Sequence, residues 1–130
     1  MNIPIQLIGH FSFMVLMIVL LVIGITKAYK KGDNWLQNHR TFVLAGVVSG
    51  LIGFAIMAIA KALNSYPHFV SSHSKGGLTT LILAIITPLF GYLLMKQIIK
   101  VKTVHKTLGI LTLIFSIIAA SFGIFMVATR

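Results

Sequence analysis

Four long apolar stretches follow one another along the chain, and three short polar segments, the first and third rich in lysine, separate them. The stretches cover about residues 5–26, 38–63, 73–95 and 105–128. Each is long enough, at about 1.5 Å per residue, to cross the ~30 Å hydrocarbon layer of a bilayer as a helix. The pattern predicts an all-α integral membrane protein, an antiparallel four-helix bundle that forms a single domain over residues 1–130.

Composition supports a membrane protein and excludes several kinds of chemistry. Hydrophobic residues make up 58% of the chain, above the roughly one half that is usual in soluble domains. The absence of cysteine excludes disulfides, thiolate catalysis, iron–sulfur clusters and covalent haem attachment. The net charge of +10, with Asp33 as the only acid, would suggest nucleic acid for a soluble protein. Here the bases lie mainly between apolar stretches, so we expect contact with membrane lipid and no nucleic-acid partner.

The basic residues also predict the orientation of the chain. Segments 27–37 and 96–104, with their flanking residues, carry eight bases, namely Lys27, Lys30, Lys31, Arg40, Lys96, Lys100, Lys102 and Lys106. The opposite side carries three, Lys61, Lys75 and Arg130. Because cytoplasmic loops are enriched in Lys and Arg, we expect both segments in the cytoplasm and both termini on the outer side of a plasma or inner membrane.

One histidine stands at or just inside the start of each apolar stretch. Because successive helices cross the membrane in opposite directions, we expect His10 and His73 at the outer level and His39 and His105 at the inner level. A single interfacial histidine would be unremarkable, but ionisable residues inside membrane spans are rare and usually functional. Zinc would need further ligands at each level, whereas bis-histidine ligation of haem iron needs only two imidazoles. The sequence therefore predicts two non-covalent b haems, with these histidines as the axial ligands of the iron.

Glycines recur at fixed offsets from these histidines. They lie at +4 (Gly77, Gly109), at +14 (Gly24, Gly53) and at +18 (Gly91, Gly123). All three offsets return to within roughly 40° of the face of the helix that carries the histidine. The +14 and +18 positions lie roughly 21–27 Å further along the axis, at the level of the other histidine pair. We interpret these glycines as clearance for a flat macrocycle, with close helix packing as the alternative.

The last two apolar stretches are related in sequence. Residues 73–91 and 105–123 align without gaps with nine of nineteen positions identical, including the histidine and two glycines. The two helices therefore look like copies of one unit inserted in opposite directions, which would generate one equivalent site in each leaflet.

Three motifs carry a resemblance to a known family. They are WLQNHR at 35–40, FVSSHSKGG at 69–77 and VHKTLG at 104–109. With them, about residues 8–127 resemble the cytochrome b-561 superfamily, including the haem domains that follow DOMON modules. The resemblance implies two b haems that pair His10 with His73 and His39 with His105. It also implies electron transfer across the membrane to an outer acceptor.

The resemblance leaves the electron donor open. Eukaryotic members have six helices and oxidise cytosolic ascorbate, whereas only the four-helix core is found in this sequence. An ascorbate-like reductant, a quinol and a redox protein partner are therefore all retained as donors.

Polar residues near the predicted haem levels are candidates for contact with haem propionates or substrates. Arg40 and Lys106 are candidates for the inner propionates and Lys75, beside Ser72, for the outer ones. Lys30, Lys31 and Lys102 are candidates for an anionic donor, and His68 for an outer substrate. The alternatives are plain positive-inside anchoring for the bases and an ordinary surface position for His68.

The preferred function is a transmembrane electron carrier with two haems. A haem-bearing anchor subunit of a quinone-linked oxidoreductase is the alternative, and it would need a soluble catalytic partner. A small four-helix transporter that works as a homodimer is disfavoured, because such proteins usually need an acid within the membrane and Asp33 lies in a loop segment.

Overall fold

The computed structural model describes residues 4–129 as four helices. These are α1 (Ile5–Lys30), α2 (Trp35–Leu63), α3 (Ser72–Met95) and α4 (Lys102–Ala128). Each helix is long and apolar enough to cross a membrane, so the all-α membrane architecture is confirmed. Arg130, one of the bases in the charge argument, lies outside the described residues.

All four helices are longer than the sequence pattern predicted, α3 by a single residue at its start. The segment expected at 27–37 shortens to residues 31–34, because α1 continues to Lys30 and α2 begins at Trp35. The segment expected at 96–104 shortens to 96–101, because α4 begins at Lys102. Apolar runs mark only the part of a helix that lies in hydrocarbon, whereas the backbone keeps its helical hydrogen bonds into the polar interface. The turn from α1 to α2 uses Lys31 and Asn34, which have φ angles of 47° and 53°.

The helices are grouped into two antiparallel hairpins. α1 packs closely along α2, and α3 packs closely along α4. Between the hairpins, α1 meets α4 and α2 meets α3 over only short stretches. The first and third helices therefore face each other across a gap, as do the second and fourth.

The two hairpins have different interiors. Between α1 and α2 the packing is mainly apolar, with Met17 and Leu21 buried against Val43 and Val47. Gly46 brings α2 close to α1, since a Cβ there would lie 3.3 Å from the carbonyl oxygen of Met17. Small residues of this kind let membrane helices approach closely.

The seam between α3 and α4 is polar. Its buried side chains include four hydroxyl groups, those of Thr80, Thr87, Thr112 and Ser116. Thr87 and Thr112 contact each other through their Oγ1 atoms, 3.0 Å apart. Pro88 follows Thr87 inside α3, and its missing N–H leaves one helical carbonyl without its usual donor.

Candidate functional site

The histidines meet in two pairs, one at each end of the bundle. The ring centroids of His10 and His73 are 5.9 Å apart, and the ring planes cross at 87°. The ring centroids of His39 and His105 are 6.1 Å apart, also at 87°. Each pair takes one histidine from each hairpin, so both pairs lie across the gap between the hairpins. The structure thus brings together the same partners that antiparallel threading predicted.

Every histidine ring is held by a backbone carbonyl of the other helix in its own hairpin. Nδ1–H of His10 donates to the carbonyl of Gly53, and that of His39 donates to the carbonyl of Gly24, both at 2.9 Å. In the second hairpin, His73 donates to Ala119 at 2.8 Å and His105 donates to Thr87 at 3.0 Å.

These four carbonyls obey one sequence rule. Each belongs to the residue fourteen positions after the histidine of its own helix. Within a hairpin the two helices therefore exchange equivalent bonds, and the two histidine levels lie roughly 21 Å apart along the helices. A carbonyl oxygen can only accept, so Nδ1 carries the hydrogen in all four rings and Nε2 is left as the electron-pair donor.

This arrangement fits haem iron. Imidazole nitrogens bind metal ions at about 2 Å, and with about 1.2 Å from nitrogen to ring centroid, the centroids of two rings that share a metal would lie up to about 6.4 Å apart. At 5.9 and 6.1 Å, both pairs are close to that separation. A second hydrogen bond from the ring nitrogen that does not bind the metal is the usual support for a ligating histidine. Within residues 4–129, no three side chains among His, Asp and Glu gather in one place, so each level offers two imidazoles.

Four of the predicted glycines lie beside the histidines of the neighbouring helix. Gly24 and Gly53 supply two of the carbonyls described above. A Cβ on Gly91 would lie 2.9 Å from Cε1 of His105, and a Cβ on Gly123 would lie 2.9 Å from Cε1 of His73. Gly91 and Gly123 therefore pack against histidine rings. Gly24 and Gly53 instead let α1 and α2 pack closely, since a Cβ there would meet side chains and backbone of the other helix at 2.8–3.4 Å. Clearance for the macrocycle stays a prediction for all four glycines.

The two glycines at +4 have more open surroundings. A Cβ on Gly77 would meet no protein atom within 4 Å, and a Cβ on Gly109 would meet only the Thr87 methyl at 3.8 Å. Gly77 faces a cavity, which makes it the clearest candidate for macrocycle clearance.

A cavity of about 620 Å³ opens at the level of His10 and His73. This volume is within the usual range for cofactor sites. Apolar side chains from all four helices form most of the wall, and Gly77 and Gly123 lie in it beside the histidines. Lys61 and His68 also line this cavity.

The other predicted contact residues lie on the surface. Lys75 is exposed and is not part of the cavity wall, where the half-buried Lys61 is found instead. Lys106 places Nζ 5.5 Å from the centroid of the Tyr29 ring, which links the start of α4 to the end of α1. Arg40 lines a shallow surface groove with Trp35. Lys30, Lys31 and Lys102 are exposed at the same end of the bundle.

Sequence reasoning missed two of the four carbonyl acceptors, those of Thr87 and Ala119, and the place of Lys61 in the cavity wall. The offset of +14 from each histidine was visible in the sequence. That offset pointed to a functional position only where the residue was glycine, because every residue type has a backbone carbonyl and can serve as an acceptor.

Two histidine pairs in a bundle of four membrane helices are the arrangement that a membrane cytochrome of b type would need. A family model described as eukaryotic cytochrome b561 matches residues 10–129, and the chain belongs to this family. Haem b and electron transfer through a membrane are accordingly the cofactor and the chemistry that the family indicates. No curated protein and no solved structure matches the chain.

Proposed function

We propose that this protein carries electrons across its membrane through two bis-histidine b haems, from a donor at the cytoplasmic or membrane side to an acceptor outside. The observation that carries the proposal is the presence of two imidazole pairs at opposite ends of one bundle, His10–His73 and His39–His105. Both pairs have ring separations that suit an iron atom between the rings.

The residues of the chain have a defined task in this proposal. The four backbone carbonyls that accept from Nδ1 fix the tautomer of each ring, so that Nε2 is the atom available to the metal. When bound, haem supplies a centre that gains or loses one electron without needing a proton from the protein. Since each pair takes one histidine from each hairpin, ligation of iron by both rings would also link the two hairpins.

The two ends of the bundle suit different reaction partners. The end with His39 and His105 is surrounded by exposed bases, including Lys30, Lys31 and Lys102, which favour an anionic donor such as an ascorbate-like reductant. A quinol or a redox protein would use the same end of the bundle. The other end of the bundle, where Lys61 and His68 line the cavity, is the side proposed for the acceptor.

Reconstitution into sealed vesicles tests the proposal. A membrane-impermeant electron acceptor is trapped inside, ascorbate is added outside, and the absorbance of the acceptor is followed. The protein should reduce the trapped acceptor, and His39→Ala or His73→Ala should each stop the reaction, because the two levels act in series. Ser121→Ala is the matched control, since its hydroxyl is exposed and bonds only within α4.

If protein with its haem reduced the trapped acceptor no faster than empty vesicles, transmembrane conduction would be wrong. A soluble dehydrogenase that co-purifies with the chain would then favour the anchor-subunit alternative. A colourless protein would refute both haem hypotheses and restore the transporter.

A further inference from the structure

The two ends of the α3–α4 hairpin are nearly equivalent. His73 and His105 each donate Nδ1–H to the carbonyl of the residue fourteen positions after the histidine of the partner helix. Each ring also packs against a glycine at +18 of that helix, Gly123 or Gly91. Any difference between the two ends must therefore come from side chains that break this symmetry.

One pair of side chains does so. Thr87, whose carbonyl accepts from His105, lies fourteen residues after His73. It contacts Thr112, seven residues after His105, with 3.0 Å between their Oγ1 atoms. At the other end of the hairpin the equivalent residues are Ala119, whose carbonyl accepts from His73, and Thr80. Ala119 has no hydroxyl, and Thr80 bonds only to the carbonyl of Gly76 in its own helix.

The Thr87–Thr112 contact is unusual within the fold. Over residues 4–129 it is the one hydrogen bond between side chains that joins two helices. Both threonines are almost fully buried, with 6% and 3% of their surface exposed. Each hydroxyl also lies 2.7 Å from the carbonyl four residues earlier in its own helix. Two hydroxyl hydrogens thus serve three short contacts, and the helices are bridged when one of the hydroxyls donates to the other instead of to the carbonyl of its own helix.

The bridge lies where α3 needs support. Pro88 follows Thr87 directly, and its missing N–H removes one helical hydrogen bond from that turn. The carbonyl that receives Nδ1–H of His105 belongs to Thr87 itself. Because His105 and Thr112 are both on α4, the hydroxyl bridge and the imidazole bond fix the same two helices relative to each other.

From this geometry, and resting on the proposed function, we infer that Thr87 and Thr112 are positioning residues for the inner axial ligand His105. The bridge holds the Thr87 carbonyl at bonding distance from Nδ1. A hydrogen bond from Nδ1 raises the electron-donating power of the imidazole toward iron. A more strongly donating ligand stabilises the ferric state, so the bridge lowers the midpoint potential of the inner haem. The outer haem has no such bridge.

Redox titration of purified protein with its haem, followed by absorbance, tests this inference. Thr87→Val keeps the branched shape and removes the hydroxyl, and it should raise the midpoint potential of the inner haem while leaving the outer one unchanged. Thr112→Val should act in the same direction, and Thr87→Ser, which keeps a hydroxyl, should restore the original potential. Thr80→Val is the matched control, because it removes a buried hydroxyl from the symmetry-related position.

The inner component is identified as the one that disappears in His39→Ala. If the wild-type protein lacks that component, the proposed function fails. If the wild type has it and neither Thr87→Val nor Thr112→Val moves its potential, the positioning role is refuted while the proposed function stands. An equal shift in Thr80→Val would also refute the positioning role, since it would show a general effect of lost hydroxyls. A purely structural role would lower thermal stability in the valine variants without moving either potential.

Discussion

Replacing Gly91 by alanine should disturb the inner haem site and spare the outer one. The new Cβ would lie 2.9 Å from Cε1 of His105, whereas two carbon atoms rest at about 3.5–4.0 Å. The ring must therefore retreat by about 0.6–1.1 Å. Gly91 and the carbonyl of Thr87 are on the same helix one turn apart, so a ring pushed away from Gly91 also moves away from its hydrogen-bond acceptor.

The size of the effect follows from that displacement. The bond from Nδ1 of His105 to the Thr87 carbonyl is 3.0 Å long, and at about 3.6 Å it would no longer be a hydrogen bond. Overpacking of this kind costs about 1–3 kcal/mol. Loss of the partner that supports a ligating histidine typically lowers metal affinity about 10–100-fold. We therefore expect haem affinity at the inner level to fall by about 10–100-fold.

Haem titration of the haem-free protein, followed by absorbance, measures the affinity of each level separately. Gly123→Ala is the mirror-image variant, because its Cβ would lie 2.9 Å from Cε1 of His73, and it should weaken the outer level alone. Gly76→Ala is the control on α3, since its Cβ would meet only the Ala119 methyl at an ordinary 3.8 Å. Unchanged affinity at both levels in Gly91→Ala, or equal loss at both, would refute the reasoning.

Two further predictions concern the cavity and the orientation. Gly77→Ala adds a Cβ that meets no protein atom within 4 Å, so the haem-free protein should keep its thermal stability while outer haem binding weakens; unchanged binding would show that no macrocycle fills this space. Single cysteines introduced as Gly32→Cys and Ser65→Cys in this cysteine-free chain should be labelled by an impermeant thiol reagent from the cytoplasmic and outer sides respectively. Labelling in the opposite sense would reverse the orientation inferred from the basic residues.

The sequence was sufficient for the four helices and for the histidine partners. Apolar runs that can cross a bilayer leave little choice but helices, and antiparallel threading alone sorts His10 with His73 and His39 with His105. The helix ends were harder to predict, because residues such as Lys27 and Lys30 end the apolar pattern without ending the backbone hydrogen bonds of α1.

The carbonyl acceptors of the histidine rings could not be predicted from residue type. Gly24, Gly53, Thr87 and Ala119 share one offset from the histidine of their own helix, and what they contribute is a backbone oxygen. The same limit applies to the hydroxyl bridge. Thr80 and Thr112 occupy matching places in the repeat, and only the packing of α3 on α4 shows that Thr112 meets a second hydroxyl group while Thr80 does not.

The most direct test of the central claim is the number of haems bound to each chain. A pyridine haemochrome assay on purified protein, set against the protein concentration from amino-acid analysis, should give two b haems per chain. His39→Ala and His10→Ala should each give one haem, with different absorption maxima for the one that remains. A wild-type value of one haem or none would contradict the account.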